Sequence, residues 1–152
     1  MAAVTRSEFL ARYKDVFEHS PWIVERAYDR GGAFLAACAA VIAEATGEER
    51  RGLIRAHPEL AARVELTAAS TSEQLGAGLR ALTAEEFTAF SELNAAYREK
   101  FGFPFVICVR EHTKSSILAQ FRARLGNDVA AEERTALAEI GKIAALRVEA
   151  LK

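Results

Sequence analysis

Cysteine is nearly missing from this sequence, and the two that occur, Cys38 and Cys108, sit among apolar neighbours (Ala36-Ala37-Cys38-Ala39 and Val106-Ile107-Cys108-Val109). That usage excludes a disulfide scaffold and reads as two small core residues of a reducing compartment. Histidine is scarce too. His19, His57 and His112 fall into neither an H-x-x-x-H nor an H-E-x-x-H spacing, and the cysteines form no C-x-x-C, so no metal site is expected. Neither sign of charge dominates: 20 Lys and Arg face 21 Asp and Glu, a formal net charge of −1. A chain this balanced offers no field to draw nucleic acid or an anionic membrane. No apolar run approaches the roughly 18–20 residues a bilayer requires. The nearest, Ala33–Ala45, is too short and carries Glu44. After Met1-Ala2-Ala3-Val4 come Arg6, Glu8 and Arg12 in place of a signal-peptide core, and Ala150-Leu151-Lys152 is not a peroxisomal address, so a cytoplasmic location is expected. Phosphate-cradling loops, dinucleotide fingerprints and G-x-S-x-G elbows are also missing.

What remains is a globular composition, 51% apolar and 27% charged over 152 residues, which suits one domain spanning 1–152. Helical periodicity and helix punctuation run through most of it. Thr5 with Glu8, and Thr83 with Glu86, make capping boxes ahead of the stripes Phe9–Phe17 and Phe87–Phe101. Ser20-Pro21 opens a helix, Gly31-Gly32 separates it from the next, and Gly47, Gly102 and Gly126 close others. The last helix is expected from about Asp128 onward. Phe103–Val109 is apolar throughout, and periodicity cannot separate a helical from an extended reading there. A lone strand would lack a partner, so the expected fold is all-α, a bundle of seven to nine non-parallel helices.

Few residues are placed for chemistry. Pro58 disfavours the α conformation at His57, which puts that imidazole at a helix boundary. It can serve there as an acid/base at a cavity rim, or simply donate to a nearby carbonyl. Ser70 and Glu73 have capping-box spacing, yet a carboxylate and backbone N–H groups at a helix start can also meet a polar substrate. Glu73 could accept an N–H from a urea or amide, or orient His57. Gln74 offers both a donor and an acceptor to a heterocycle. Arg110 follows the apolar run and suits either one buried anionic group or a salt bridge to Glu111 or Glu139.

Ser20-Pro21-Trp22, His57-Pro58-Glu59-Leu60, Ser70-x-x-Glu73-Gln74 with Ala77-Gly78-Leu79, the run Asn94-x-x-Tyr97-x-x-Lys100 through Arg110, Arg124-Leu125-Gly126-Asn127, and Glu139 through Arg147 follow one another along nearly the whole chain. This ordered set resembles the 2-oxo-4-hydroxy-4-carboxy-5-ureidoimidazoline (OHCU) decarboxylase family. Glu59 stands where the family usually has Asp. The resemblance implies an all-helical fold, no cofactor and a homodimer. It also implies a small-molecule substrate converted to S-allantoin in urate degradation, coupled to the upstream enzymes of that route. By resemblance His57 is the catalytic acid/base with Glu73 beside it, and Pro58, Ser70, Gln74, Phe105, Val106, Ile107 and Arg110 contact the substrate. The ring of that substrate can accept the electron pair left by CO₂, so the protein need only orient, stabilise charge and deliver a proton. Two other functions fit the residues: a non-catalytic helical interaction module, and a hydrolase of ureido compounds with Cys108 as its only candidate nucleophile.

Overall fold

A capped start explains most of the helices. In the computed structural model, which describes residues 4–61, 67–79 and 81–152, eight α-helices follow one another among the described residues. They are α1 (Arg6–Tyr13), α2 (Pro21–Arg30), α3 (Phe34–Glu44), α4 (Gly47–Arg55), α5 (Ala68–Gly76), α6 (Ala84–Phe101), α7 (Lys114–Arg124) and α8 (Val129–Ala150), with a 3-10 turn at Val109–Glu111. Met1, Ala2 and Ala3, read above for a leader, lie outside the described residues. Both expected capping boxes form, Thr5 with Glu8 and Thr83 with Glu86, and Thr46 with Glu49 and Thr113 with Ser116 add two more. Ser70 is not a cap. Thr67 caps α5 instead, accepting from the Ser70 N–H, because the helix begins one turn earlier than the Ser70/Glu73 spacing suggests. Ser70 and Glu73 are thereby left inside a helix, with side chains available for other work.

The helices enclose one core in which Ile23, Leu53, Ile54, Phe90, Phe103, Phe105, Ile117, Phe121 and Ile140 are almost completely buried. Helix α2 packs on α1 and α3, α4 and α6 pack on α8, and α5 packs on the 3-10 turn. That last contact brings α5 up to the segment after α6.

Phe103–Ile107 resolves the ambiguity of its sequence in favour of extended chain. Gly102 ends α6 in the left-handed conformation, φ 77°, where a side chain would be strained. The backbone then runs through the core, and among the described residues the peptides of Phe105, Val106 and Ile107 make no backbone–backbone hydrogen bond. Buried peptides without a ladder are costly, and side chains from α7 and α8 offset part of that cost. Arg124 Nη1 donates to the Val106 carbonyl at 2.8 Å, and Glu139 accepts the Cys108 N–H at 3.1 Å. Phe105 stacks on Phe121 with ring centres 3.9 Å apart, and the Arg124 guanidinium lies 4.3 Å from the Phe105 ring centre. Arg124 is held in turn by Glu132, which also accepts from Tyr97 and Asn127.

Candidate active site

The site starts where α4 stops. Ala56 caps that helix, Pro58 prevents its continuation, and His57 is left just past the last turn. The His57 ring folds back so that Nδ1 lies 2.9 Å from the Leu53 carbonyl. A carbonyl only accepts, so Nδ1 carries the hydrogen and the neutral ring keeps its lone pair on Nε2. The ring is 7% exposed. Burial pushes its pKa below the ordinary histidine value; the Leu53 bond and the negative charges of Glu18 and Glu73 oppose that, while Arg147 adds to it. The structure thus shows the expected donation from a helix-ending histidine to a nearby carbonyl, and that bond leaves Nε2 as the unprotonated nitrogen of the neutral ring.

Two tethers fix the loop that follows. Gln74 Oε1 accepts from the Ala61 N–H at 3.1 Å, and Asn94 Nδ2 donates to the Leu60 carbonyl at 2.9 Å. Ala61 is held between them at φ 60°, a left-handed conformation that costs a non-glycine residue about 1–2 kcal/mol. Glu59, the position that departs from the family pattern, pairs outward with Arg98.

One cavity of about 30 Å³ is lined by His57, Pro58, Ser70, Glu73 and Gln74 together with Phe105, Val106 and Ile107. Eight of the nine residues singled out in the sequence therefore share it. The ninth, Arg110, does not. It is exposed on the 3-10 turn and lines a neighbouring pocket of about 230 Å³ with Arg12, Asp15 and Leu151. The salt bridges suggested for Arg110 do not form either: Glu111 and Glu139 both face Lys142. Glu73 and Arg147 line both pockets and so join them.

The guanidinium in the His57 cavity is that of Arg147, on α8. It meets Glu73 through two parallel hydrogen bonds, Nε to Oε2 and Nη2 to Oε1, each 2.9 Å. Its Nη2 also donates to Glu18 Oε1 at 2.8 Å, and Nη1 reaches the carbonyls of Asp15 and Val16 at 3.2 and 3.4 Å. Glu18 Oε1 further accepts from Ser70 Oγ at 2.7 Å and Thr67 Oγ1 at 2.8 Å. Burial works against ionisation of Glu18, but Ser70, Arg147 and Thr67 outweigh it and hold the carboxyl below its ordinary range. Neither Arg147 nor Glu18 was singled out as a site residue. A signal existed for both: Arg147 falls on the same helical face as Ile140 and Ala144, and Glu18 follows the buried pair Val16-Phe17.

Cys108 is buried, and burial raises its thiol pKa, with Glu111 and Glu139 adding to the effect. Burial pushes Cys38 up to about 12. Thiols so protonated are poor nucleophiles, which removes the basis for a cysteine hydrolase. Among the described residues no group of three His, Cys, Asp or Glu is placed to hold a metal ion, and no helix is long and apolar enough to cross a membrane.

The chain is similar to known proteins over almost its entire length. A family model described as OHCU decarboxylase matches residues 2–149. The 2-oxo-4-hydroxy-4-carboxy-5-ureidoimidazoline decarboxylase of Haloferax volcanii is 37% identical over 145 residues, 92% of this chain and 86% of that protein. The uric acid degradation bifunctional protein of Bacillus sp. (strain TB-90) is 37% identical over 151 residues, 96% of this chain but 30% of that one. Among solved structures, an (S)-allantoin synthase superposes with a TM-score of 0.77 at 27% identity, covering 97% of this chain and 51% of the synthase chain. This chain thus spans about half the length of that synthase.

Proposed function

The chain belongs to the OHCU decarboxylase family, and on that premise we propose that it decarboxylates 2-oxo-4-hydroxy-4-carboxy-5-ureidoimidazoline to S-allantoin in urate degradation, without a cofactor. The observation that carries the reading is the 2.9 Å contact of His57 Nδ1 with the Leu53 carbonyl: an acceptor there commits Nδ1–H, so the neutral ring offers a basic Nε2 in a cavity that also holds Glu73, Gln74 and Arg147. An interaction module has no use for such a nitrogen.

The substrate's name gives the chemistry. The bond from C4 to the carboxylate breaks and CO₂ leaves. Its electron pair becomes a C4=C5 double bond, and the C5=N pair retires to the ring nitrogen, which takes a proton from solvent. His57 Nε2 then removes the C4 hydroxyl proton as the carbonyl forms, and returns it to C5. The face on which that proton arrives sets the configuration of allantoin. The electron sink lies within the substrate, so neither a metal nor pyridoxal phosphate has a step to perform. Proton transfer from a positioned side chain contributes roughly 10²–10⁴-fold.

The other residues position and stabilise. Glu73, aligned by Arg147, accepts N–H groups of the ureido arm. Gln74 has committed its carbonyl to Ala61 and offers its amide N–H₂ to a ring carbonyl. The unladdered peptides of Phe105–Ile107 present hydrogen-bonding edges to the ring, while Pro58 and the apolar side chains keep water out, which favours loss of a charged group as a neutral gas. Arg110, whose side chain has no hydrogen-bond or ion-pair partner among the described residues, draws the carboxylate in through the adjoining pocket. A homodimer in the cytoplasm, coupled to the enzymes that generate the substrate from urate, completes the proposal; the bifunctional relative supports the coupling.

The test generates the substrate in situ from urate with the upstream enzymes and follows circular dichroism. Optically pure allantoin should form faster with this protein than without it. Racemic product at the spontaneous rate would refute the assignment.

A further inference from the structure

Glu18 is a buried carboxylate that the proposed reaction leaves unused. It lies in the link between α1 and α2 and is 2% exposed. The link is fixed around it: His19 turns through the left-handed region at φ 45°, and Ser20 Oγ donates to the Glu18 carbonyl at 2.9 Å. The Glu18 side chain is bonded on one side only. Oε1 takes Arg147, Ser70 and Thr67, whereas Oε2 is buried with no hydrogen-bond partner.

The donors of Arg147 show what that arrangement does. Nε serves Glu73, Nη1 serves the Asp15 and Val16 carbonyls, and Nη2 is divided between Glu18 and Glu73. All five N–H groups are engaged. Remove Glu18, and Nη2 keeps Glu73 as its only charged partner, so the plane of the guanidinium is no longer fixed from both sides.

We propose that Glu18 is a positioning residue for the decarboxylation: it anchors Arg147, so that Glu73 keeps its orientation beside His57. The inference deepens the functional reading above and rests on it. The charged groups concerned come from every element around Glu18. Arg147 reaches it from α8, Glu73 stands across that guanidinium on α5, and His57 follows α4. On its own link, the exposed His19 brings Nε2 to 3.8 Å from Oε2.

Glu18→Gln is the direct test, because the amide N–H₂ can take the place of Oε2 without displacing a donor. With three histidines in the chain, the His57 ring signals can be followed by NMR as pH is varied. The variant should fold, its His57 midpoint should move down by roughly 0.5–1 pH unit, the acid limb of kcat/KM should move with it, and kcat/KM at neutral pH should fall about tenfold. Glu18→Asp keeps the charge and withdraws it by one methylene. There the His57 midpoint should stay near that of the wild type while kcat/KM still falls. Wild-type behaviour of Glu18→Gln in both readouts overturns the proposal, as does lost turnover with the His57 midpoint unmoved. Should Glu18→Gln not fold, Glu18→Asp decides, and unchanged kcat/KM in it overturns the proposal. An inactive wild-type protein would instead refute the functional reading, and the NMR titration would still measure the influence of Glu18 on His57.

Discussion

Glu73 and Arg147 stand 74 residues apart in the chain and meet through two parallel 2.9 Å hydrogen bonds. The pair ties α5 to α8 at the one place where the His57 cavity adjoins the pocket beside it. A bidentate guanidinium–carboxylate pair fixes both distance and plane, which a lysine cannot do.

Arg147→Ala should therefore be among the most damaging changes in the molecule. It leaves the buried carboxylate of Glu18 and the part-buried one of Glu73 without their cation, at a cost of about 3–5 kcal/mol in urea unfolding. Arg147→Lys should recover part of the stability and little of the turnover. A double-mutant cycle with Glu73→Gln should show strong coupling; additive effects would mean the pair has no joint role.

His57→Asn should keep the fold, since an amide can still donate to the Leu53 carbonyl, but it has no basic nitrogen to move the proton. The enzymatic rate should drop by roughly 10²–10⁴-fold with the far-UV circular dichroism unchanged. Near-wild-type turnover would take the imidazole out of the reaction.

The pH dependence follows from the lowered pKa of His57. The ring stays neutral somewhat below the ordinary histidine value of 6.5, so kcat/KM should hold its plateau through pH 6.5 and fall only at lower pH. Stability has the same sign. Below 6.5 the unfolded chain takes up the proton before the native one does, so native stability is full above 6.5 and is lost as pH falls through the folded value. Glu18 acts likewise below the ordinary carboxyl value of 4.5, since its folded pKa is also lowered. Melting temperatures of the wild type should therefore decline from pH 7 to 5.5 more steeply than those of His57→Asn.

Arg110→Ala removes an exposed side chain with no partner among the described residues, so unfolding should be unaffected. If Arg110 gathers the anionic substrate, KM should rise several-fold at low ionic strength with kcat little changed, and the difference from wild type should shrink as salt is added. A salt-independent loss of kcat would place Arg110 in contact with the reacting atoms instead.

The helices were legible because their signals are local. A threonine three residues before a glutamate, a proline after a serine, or a glycine after an aromatic stripe acts within one turn, and α1, α2, α6 and α8 begin close to where those signals put them. His57-Pro58 was legible for the same reason. Phe103–Ile107 was not, because its extended course depends on Arg124 and Glu139 from helices far along the chain, and nothing within the segment records them. Arg110 stands out in the sequence because it directly follows the apolar run, whereas nothing beside Arg147 in the chain marks it. Sequence neighbours could not show that Arg147 bonds to Asp15, Val16 and Glu18 across about 130 residues.

Arg147 reaches back to the first link of the polypeptide, and Arg12 Nη2 on α1 donates to the Leu151 carbonyl just past α8. During synthesis His57 emerges long before its electrostatic partner does. A nascent chain still holding α8 inside the ribosome thus carries the imidazole of His57 while Glu73 lacks the guanidinium that pairs with it.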